Sequence, residues 1–232
     1  MIKPFYQTDT ITLYCADMRD VELPMADLVL TDPPWAEETH IGARTTRPDD
    51  NNEVEVLIDF DSITADELHE MLSHIAPVAR RWIVAFIDWR HMRHIETQPP
   101  DGLRFVRFGL WIKPNGAPQF TGDRPSSGWE AIAMLHKADL KLAWNGKGKS
   151  SVYDFPKING NHRTAKPPRL IEQLIRDFSN EGDLILDPFA GGGVVLHTAQ
   201  LLGRRAVGIE RSDARCADIV QWLKQGSLPK VP

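Results

Sequence analysis

Two stretches of this sequence hold residue types that could do chemistry together. The first is Asp32-Pro33-Pro34-Trp35, an acid, two prolines and an aromatic directly after a short apolar run. Proline fixes φ at about −65° and disfavours helical backbone in the residue before it, so Asp32 and the Pro33 carbonyl are held on a stiff, extended turn. A carboxylate and a carbonyl side by side are two acceptors for the two hydrogens of an exocyclic amino group. Trp35 adds a flat face on which a base can stack, worth about 1–3 kcal/mol. The plainer reading of the same residues is a loop with a half-buried tryptophan.

The second stretch, LILDPFAGGGVVLHTAQLLGRRAVGIE over residues 184–210, reads as strand, glycine turn, helix, strand and a terminal acid. Glycines let backbone approach a ligand closely, and a helix start presents free N–H groups. Glu210 follows the turn by about twenty residues, at a strand end where an acid can bind both hydroxyls of a ribose. A helix–strand packing device would account for the glycines alone; the acid favours a nucleoside-containing cofactor. Val194, Val195 and Leu196 follow the glycines directly, so the turn departs from the dinucleotide fingerprint and NAD is disfavoured.

The elements that must position these residues alternate between short apolar strands and helices. Strands are expected at 10–14, 27–31, 82–87, 105–112, 131–135, 184–186 and 206–209, and helices at 65–81, 168–178 and 194–202. Thr64 and Glu67 have the spacing of a capping box, and Pro167 and Pro168 suit a first helical turn. Residues 36–55 are polar with little periodicity. Alternation of this kind implies an α/β fold with a mostly parallel sheet covered on both faces.

Together TDPPW (31–35) and DPFAGGG (187–193) make the chain resemble the amino-group DNA methyltransferases, the N4/N6 DNA methylase family. The acid motif precedes the glycine motif, as in the permuted beta group, and the resemblance extends over nearly the whole chain. YCAD with Asp17 resembles the acidic position that contacts the cofactor adenine. WIKPN (111–115) resembles the strand motif before the target-recognition insertion. His162, Thr164 and Lys166 fall in a run similar to the family's H-P-T-x-K-P signature, with Arg163 in place of its proline. Gly192 and Val194 stand where Ser and Thr are common, leaving backbone N–H groups to make those contacts.

The resemblance implies a Rossmann-like fold in one methyltransferase domain over 1–232. It implies S-adenosylmethionine as cofactor, held by Asp17, Asp32, His162, Thr164, Lys166, Asp187, Phe189, Ala190, Gly191, Gly193 and Glu210. Asp32, Pro33, Pro34 and Trp35 would form the catalytic turn, acting on double-stranded DNA with the target base flipped out. Asp before Pro-Pro favours adenine over cytosine within the family. Cytosine N4 in DNA, adenine in RNA, and a catalytically silent nucleic-acid-binding protein of the same fold are the alternatives.

Little room exists for a separate recognition domain, so loops near 36–55, 114–128 and 144–163 are expected to face DNA. They carry Arg44 and Arg47, Arg124, and Lys147 and Lys149, suited to guanine edges or phosphates. Short target sites, or a homodimer supplying extra contacts, would follow. The resemblance also implies a role in restriction–modification.

Composition narrows the remaining classes. Of the 232 residues, 27 are Lys or Arg and 32 are Asp or Glu, a net charge of −5 that argues against non-specific coating of nucleic acid. Cys15 and Cys216 are too few for a disulfide framework or a cysteine-rich zinc site, and neither has the Pro-Cys setting of a covalent cytosine-carbon mechanism. No metal spacing is found among the histidines. His91 and His94, interleaved with Arg90 and Arg93, read as a solvated or nucleic-acid-facing stretch. No apolar run approaches a membrane span and no secretory leader is evident, so the cytoplasm is the expected location.

Overall fold

The computed structural model describes residues 2–35, 63–116, 118, 122–158 and 166–225. In chain order its strands are β1 (Tyr6–Gln7), β2 (Ile11–Cys15), β3 (Ala26–Thr31), β4 (Ala79–Ile87), β5 (Leu103–Ile112), β6 (Trp129–Lys137), β7 (Val152–Asp154), β8 (Leu184–Asp187) and β9 (Arg205–Glu210). Its α-helices are α1 (Ala65–Ile75), α2 (Met92–Thr97), α3 (Pro168–Phe178), α4 (Val194–Leu201) and α5 (Asp213–Gln225).

The nine strands form one sheet in the order β1-β2-β9-β8-β3-β4-β6-β5-β7. From β2 to β4 the neighbours are parallel. β6 then runs antiparallel to both β4 and β5, and β1 closes the other edge antiparallel to β2. Leu28, Val29 and Leu30 are all buried, which a strand covered on both faces requires. Leu28 and Leu30 pack with Trp82, Val84, Phe86 and the α3 side chains Leu170, Ile171 and Leu174. Val29 faces the opposite layer with Ile83, Ala85 and the α1 residues Leu68, Leu72 and Ile75.

This topology has a switch point. The chain leaves β3 through α1 to β4 on one side, and leaves β8 through α4 to β9 on the other, while β3 and β8 are neighbours. The crevice outside the carboxyl ends of such a strand pair is where ligands bind in open α/β sheets. Asp32 directly follows β3, and Asp187 ends β8.

Most expected elements are present, with one clear correction. The capping box forms as Thr64 accepts from the Glu67 N–H while Glu67 accepts from the Thr64 N–H. The helix, however, ends at Ile75 rather than continuing to residue 81. Pro77 opens a 3-10 turn, Ala76–Val78, and Ala79 already belongs to β4. Proline cannot donate the next helical hydrogen bond. α5, α2 and the short strands β1 and β7 are further elements that the periodicity does not single out. Residues 36–55 lie outside the described residues.

Candidate active site

The glycine turn is set by backbone conformation. Gly191 and Gly193 have φ of 52° and 77°, in the left-handed region where glycine carries no Cβ penalty. Gly193 caps α4, and a Cβ there would lie 2.9 Å from Ile219 of α5. A Cβ on Gly192 would meet nothing within 4 Å. Gly193 therefore serves packing, while the backbone at Gly192 faces open space that a ligand can approach. Phe189 and Ala190 precede the turn, and the Ala190 N–H donates to the Ile209 carbonyl at 2.8 Å.

Glu210 locks the turn from the end of β9. Its Oε2 accepts from the Gly191 N–H and its Oε1 from the Ser212 N–H, both at 2.9 Å. Each carboxylate oxygen has a second lone pair, so a diol could still donate to it. Asp17, beyond β2 at the same sheet edge, is engaged by Arg19. Its Oδ1 accepts from the Arg19 backbone and Nε, and its Oδ2 from Nη2 at 2.6 Å. Those hydrogen bonds hold its carboxyl down at about 2. It caps the 3-10 turn Met18–Asp20, the helix-cap arrangement its place before Met18 allows.

Asp187 is buried at the switch point. The Thr31 hydroxyl donates to its Oδ1 at 3.0 Å, and the Phe189 N–H donates to the same oxygen at 3.2 Å. Burial pushes its carboxyl up to about 7 even though both donors favour the anion.

Asp32 is engaged on both oxygens. Its Oδ1 accepts from the Trp35 indole Nε1 at 3.1 Å, and its Oδ2 accepts from Lys166 Nζ at 2.5 Å. Lys166 stands just before α3, with its side chain 7% exposed, and its ammonium lies 5.2 Å from the Trp35 ring centre and 4.9 Å from that of Phe86. Desolvation pushes the Asp32 carboxyl above the usual carboxylate range, with Lys166 pulling it back and Glu130 adding to the rise. The Asp32 side chain keeps 30% of its surface exposed, so solvent moderates all three effects. Burial opposes the charge on Lys166, but the Asp32 and Glu130 carboxylates hold its ammonium above the ordinary lysine value.

Glu130 and Lys113 complete a row of alternating charges. Glu130 Oε2 lies 3.3 Å from Lys166 Nζ, and Lys113 donates to Glu130 Oε1. Sequence reasoning assigned neither of them. Lys113 lies inside the quoted run WIKPN, and Glu130 follows an exposed Trp129 with no motif of its own. The antiparallel pairing of β6 with β4 and β5 brings Glu130 to the carboxyl end of β3. Lys166, which the resemblance assigns to the cofactor, has its ammonium on Asp32.

The expected DNA-facing residues are dispersed. Arg124 is exposed in the β5–β6 connection, at the same end of the sheet as Asp32, and pairs with its neighbour Asp123 at 2.9 Å. Lys149 pairs with the buried Asp177 in the last turn of α3. That turn lies some 15 Å from the helix start beside Lys166, at 1.5 Å per residue, so this loop sits toward the opposite end of the sheet from Asp32. Lys147 lies in the turn at 145–148 that leads into Lys149, with a left-handed φ of 55°. In the His91–His94 stretch the histidines turn inward, His91 being buried and His94 half-buried with its ring edge-on to His69, while Arg90 and Arg93 are exposed. Arg44, Arg47, His162 and Thr164 lie outside the described residues. No cluster of potential metal ligands occurs among the described residues.

Comparison with known proteins bears on this arrangement. A family described as DNA methylase, of the N6/N4 methyltransferases, matches residues 26–221. The type II methyltransferase M.HpaI of Haemophilus parainfluenzae is 26% identical over 83% of this chain, which spans 66% of that enzyme, just under two thirds. The type II methyltransferase M2.DpnII of Streptococcus pneumoniae is 25% identical over 90% of this chain and 88% of its own length. Among solved structures, the M1.HpyAVI–SAM complex superposes with a TM-score of 0.70 at 21% identity, covering 92% of this chain and 99% of that one. The PvuII DNA methyltransferase, described as cytosine-N4-specific, gives 0.71 at 15% identity over 99% and 90%. Likeness at these identities speaks for a shared methyltransferase fold, and the family match covers both the Asp32 turn and the glycine turn. The chain belongs to the N6/N4 DNA methylase family.

Proposed function

We propose that the protein transfers the methyl group of S-adenosylmethionine to the N6 amino group of adenine in double-stranded DNA, as a beta-class enzyme of its family. The observation that carries this reading is the placement of two acceptors, Asp32 and the Pro33 carbonyl, beside the Asp187–Glu210 crevice at the switch point of the sheet. The Thr31–Asp187 hydrogen bond ties the two halves together.

The glycine turn fits the cofactor, since its backbone at Gly192 faces open space and Glu210 retains lone pairs for a ribose diol. The cofactor supplies an activated methyl group on a sulfonium. Asp32 and the Pro33 carbonyl accept the two amino hydrogens and turn the nitrogen lone pair toward that methyl, while Trp35 stacks on the base. Positioning of this kind accounts for up to about 7–11 kcal/mol of barrier in well-oriented systems. An ordinary carboxylate, with a pKa of about 4, is too weak a base to deprotonate a neutral amine beforehand. Asp32 therefore takes up the proton as the new carbon–nitrogen bond forms or afterwards. Arg124 lies at the end of the sheet that DNA must approach and contributes phosphate or base-edge contacts.

Cytosine N4 is the second reading, favoured by the likeness to the PvuII enzyme. Asp rather than Ser before the two prolines favours adenine. The deciding experiment incubates the protein with labelled S-adenosylmethionine and, in separate arms, duplex DNA and RNA, digests the products to nucleosides and identifies the methylated base by mass. N6-methyladenine is the expected product. N4-methylcytosine would overturn the choice of base, and label found only in an RNA arm would overturn the choice of nucleic acid.

A further inference from the structure

Asp32 has both oxygens occupied by the protein's own donors, although the target amino group needs an acceptor there. Trp35 holds Oδ1, and the Lys166 ammonium holds Oδ2. A second acceptor stands ready for that ammonium. Glu130 Oε2 is buried without a hydrogen bond among the described residues, 3.3 Å from Lys166 Nζ. A buried carboxylate oxygen held only at ion-pair distance, with no well-formed hydrogen bond, is undersatisfied, and such atoms are rare. The other oxygen of Glu130 is held by Lys113, which fixes the carboxylate in place.

An ammonium has three N–H donors and no directional framework of its own. Lys166 Nζ is 2.5 Å from one carboxylate and 3.3 Å from the other, so a displacement of less than about an ångström exchanges its principal acceptor. The row Asp32, Lys166, Glu130 and Lys113 contains two carboxylates and two ammoniums, so this exchange brings no net charge into a poorly solvated site. That matters because an uncompensated buried charge is strongly disfavoured.

Resting on the function proposed above, we propose that Glu130 is a positioning residue that receives the Lys166 ammonium when the target base enters. Asp32 Oδ2 then exchanges Lys166 for the amino group of the base. Lys113 sets how strongly Glu130 draws the ammonium away. With Lys166 withdrawn, Asp32 is less shielded and better able to take the proton released by the methylated nitrogen. The lone pair of that nitrogen forms the new N–C bond, the C–S bonding pair returns to sulfur and neutralises the sulfonium, and the departing N–H proton passes to Asp32.

The groups facing Asp32 are Lys166 before α3, Glu130 on β6 and Asp187 at the end of β8, with Lys113 acting through Glu130. These charges make opposite predictions for two variants in single-turnover methyl transfer followed across pH. Glu130→Gln leaves the ammonium on Asp32: the plateau rate should fall about tenfold to hundredfold, and the acidic limb should move to lower pH. Lys113→Gln leaves the charge of Glu130 less compensated, so its acidic limb should move to higher pH. S-adenosylmethionine affinity should stay within about twofold in both, and Glu130→Asp should recover part of the rate lost in Glu130→Gln.

Methyl transfer to DNA by the unmodified protein tests the functional reading separately, so its absence would count against that reading alone. With that transfer established, a Glu130→Gln variant with unchanged rate and limb would overturn the exchange. A lower rate with an unmoved limb would also overturn it, by showing a purely structural role. If Glu130→Gln does not fold, the Lys113→Gln limb decides: a shift to higher pH supports the exchange, and an unmoved limb overturns it.

Discussion

The Thr31 hydroxyl donates a hydrogen bond of 3.0 Å to Oδ1 of Asp187, joining two buried side chains 156 residues apart in the sequence. It crosses the strand pair from which the chain departs in opposite directions. Thr31 immediately precedes the acid that would receive the base, and Asp187 opens the turn that would hold the cofactor. Together with the parallel pairing of β3 and β8, this bond ties the two strand ends to each other.

Asp187 should make the ligand-free protein less stable as pH rises. Burial raises its folded pKa to about 7, against an ordinary value of about 4. Between those values the native state binds more protons than the unfolded chain, so stability is lost as pH increases through the window. Asp187→Asn keeps an oxygen acceptor for Thr31 and Phe189 but cannot ionise. It should be more stable than the unmodified protein at pH 8, by at most about 4 kcal/mol, with the two converging near pH 4. Urea unfolding across this range measures the difference, and parallel curves would contradict the assignment.

Two of the turn's three glycines, Gly192 and Gly193, should separate packing from ligand approach. Gly193→Ala puts a Cβ 2.9 Å from Ile219 at a φ of 77°, and should destabilise the fold by about 1–3 kcal/mol. Gly192→Ala meets nothing in the protein and should leave the melting temperature nearly unchanged while weakening S-adenosylmethionine binding. Thermal unfolding beside calorimetry distinguishes them; equal effects on both readouts would refute the division.

Glu210→Ala should weaken S-adenosylmethionine binding by about 1–3 kcal/mol, the range for a buried polar partner left unmet. Part of that loss comes from the turn itself, because Gly191 and Ser212 lose their acceptor. Unchanged affinity in calorimetry would exclude Glu210 as a cofactor ligand.

What the sequence made legible is what short-range chemistry determines. The strand, glycine turn, helix and strand of residues 184–210 follow from local periodicity and from glycines that must adopt left-handed φ. The Asp32 turn follows from its prolines, and α3 begins and ends where expected because proline starts it. Pro77 could equally have been read as the stop of α1, but the apolar spacing continued past it. Glu130 was hidden for a different reason: its relation to Asp32 arises from antiparallel pairing between distant strands, and no local pattern marks such a residue. The same holds for Lys149, whose partner Asp177 belongs to a helix that follows it by a long loop. Asp17 and Arg19 show the converse, since a neighbour two residues away can occupy a carboxylate assigned to a ligand.

The central claim is that Asp32 receives the target amino group and is separable from cofactor binding. Asp32→Ala leaves Glu130 facing the Lys166 ammonium, so the buried cation retains a counter-charge. Single-turnover transfer from labelled S-adenosylmethionine to duplex DNA, measured beside cofactor affinity, tests the claim most directly. Transfer should disappear while cofactor affinity remains measurable and the protein stays folded. An Asp32→Ala variant that methylates DNA at the unmodified rate would contradict it.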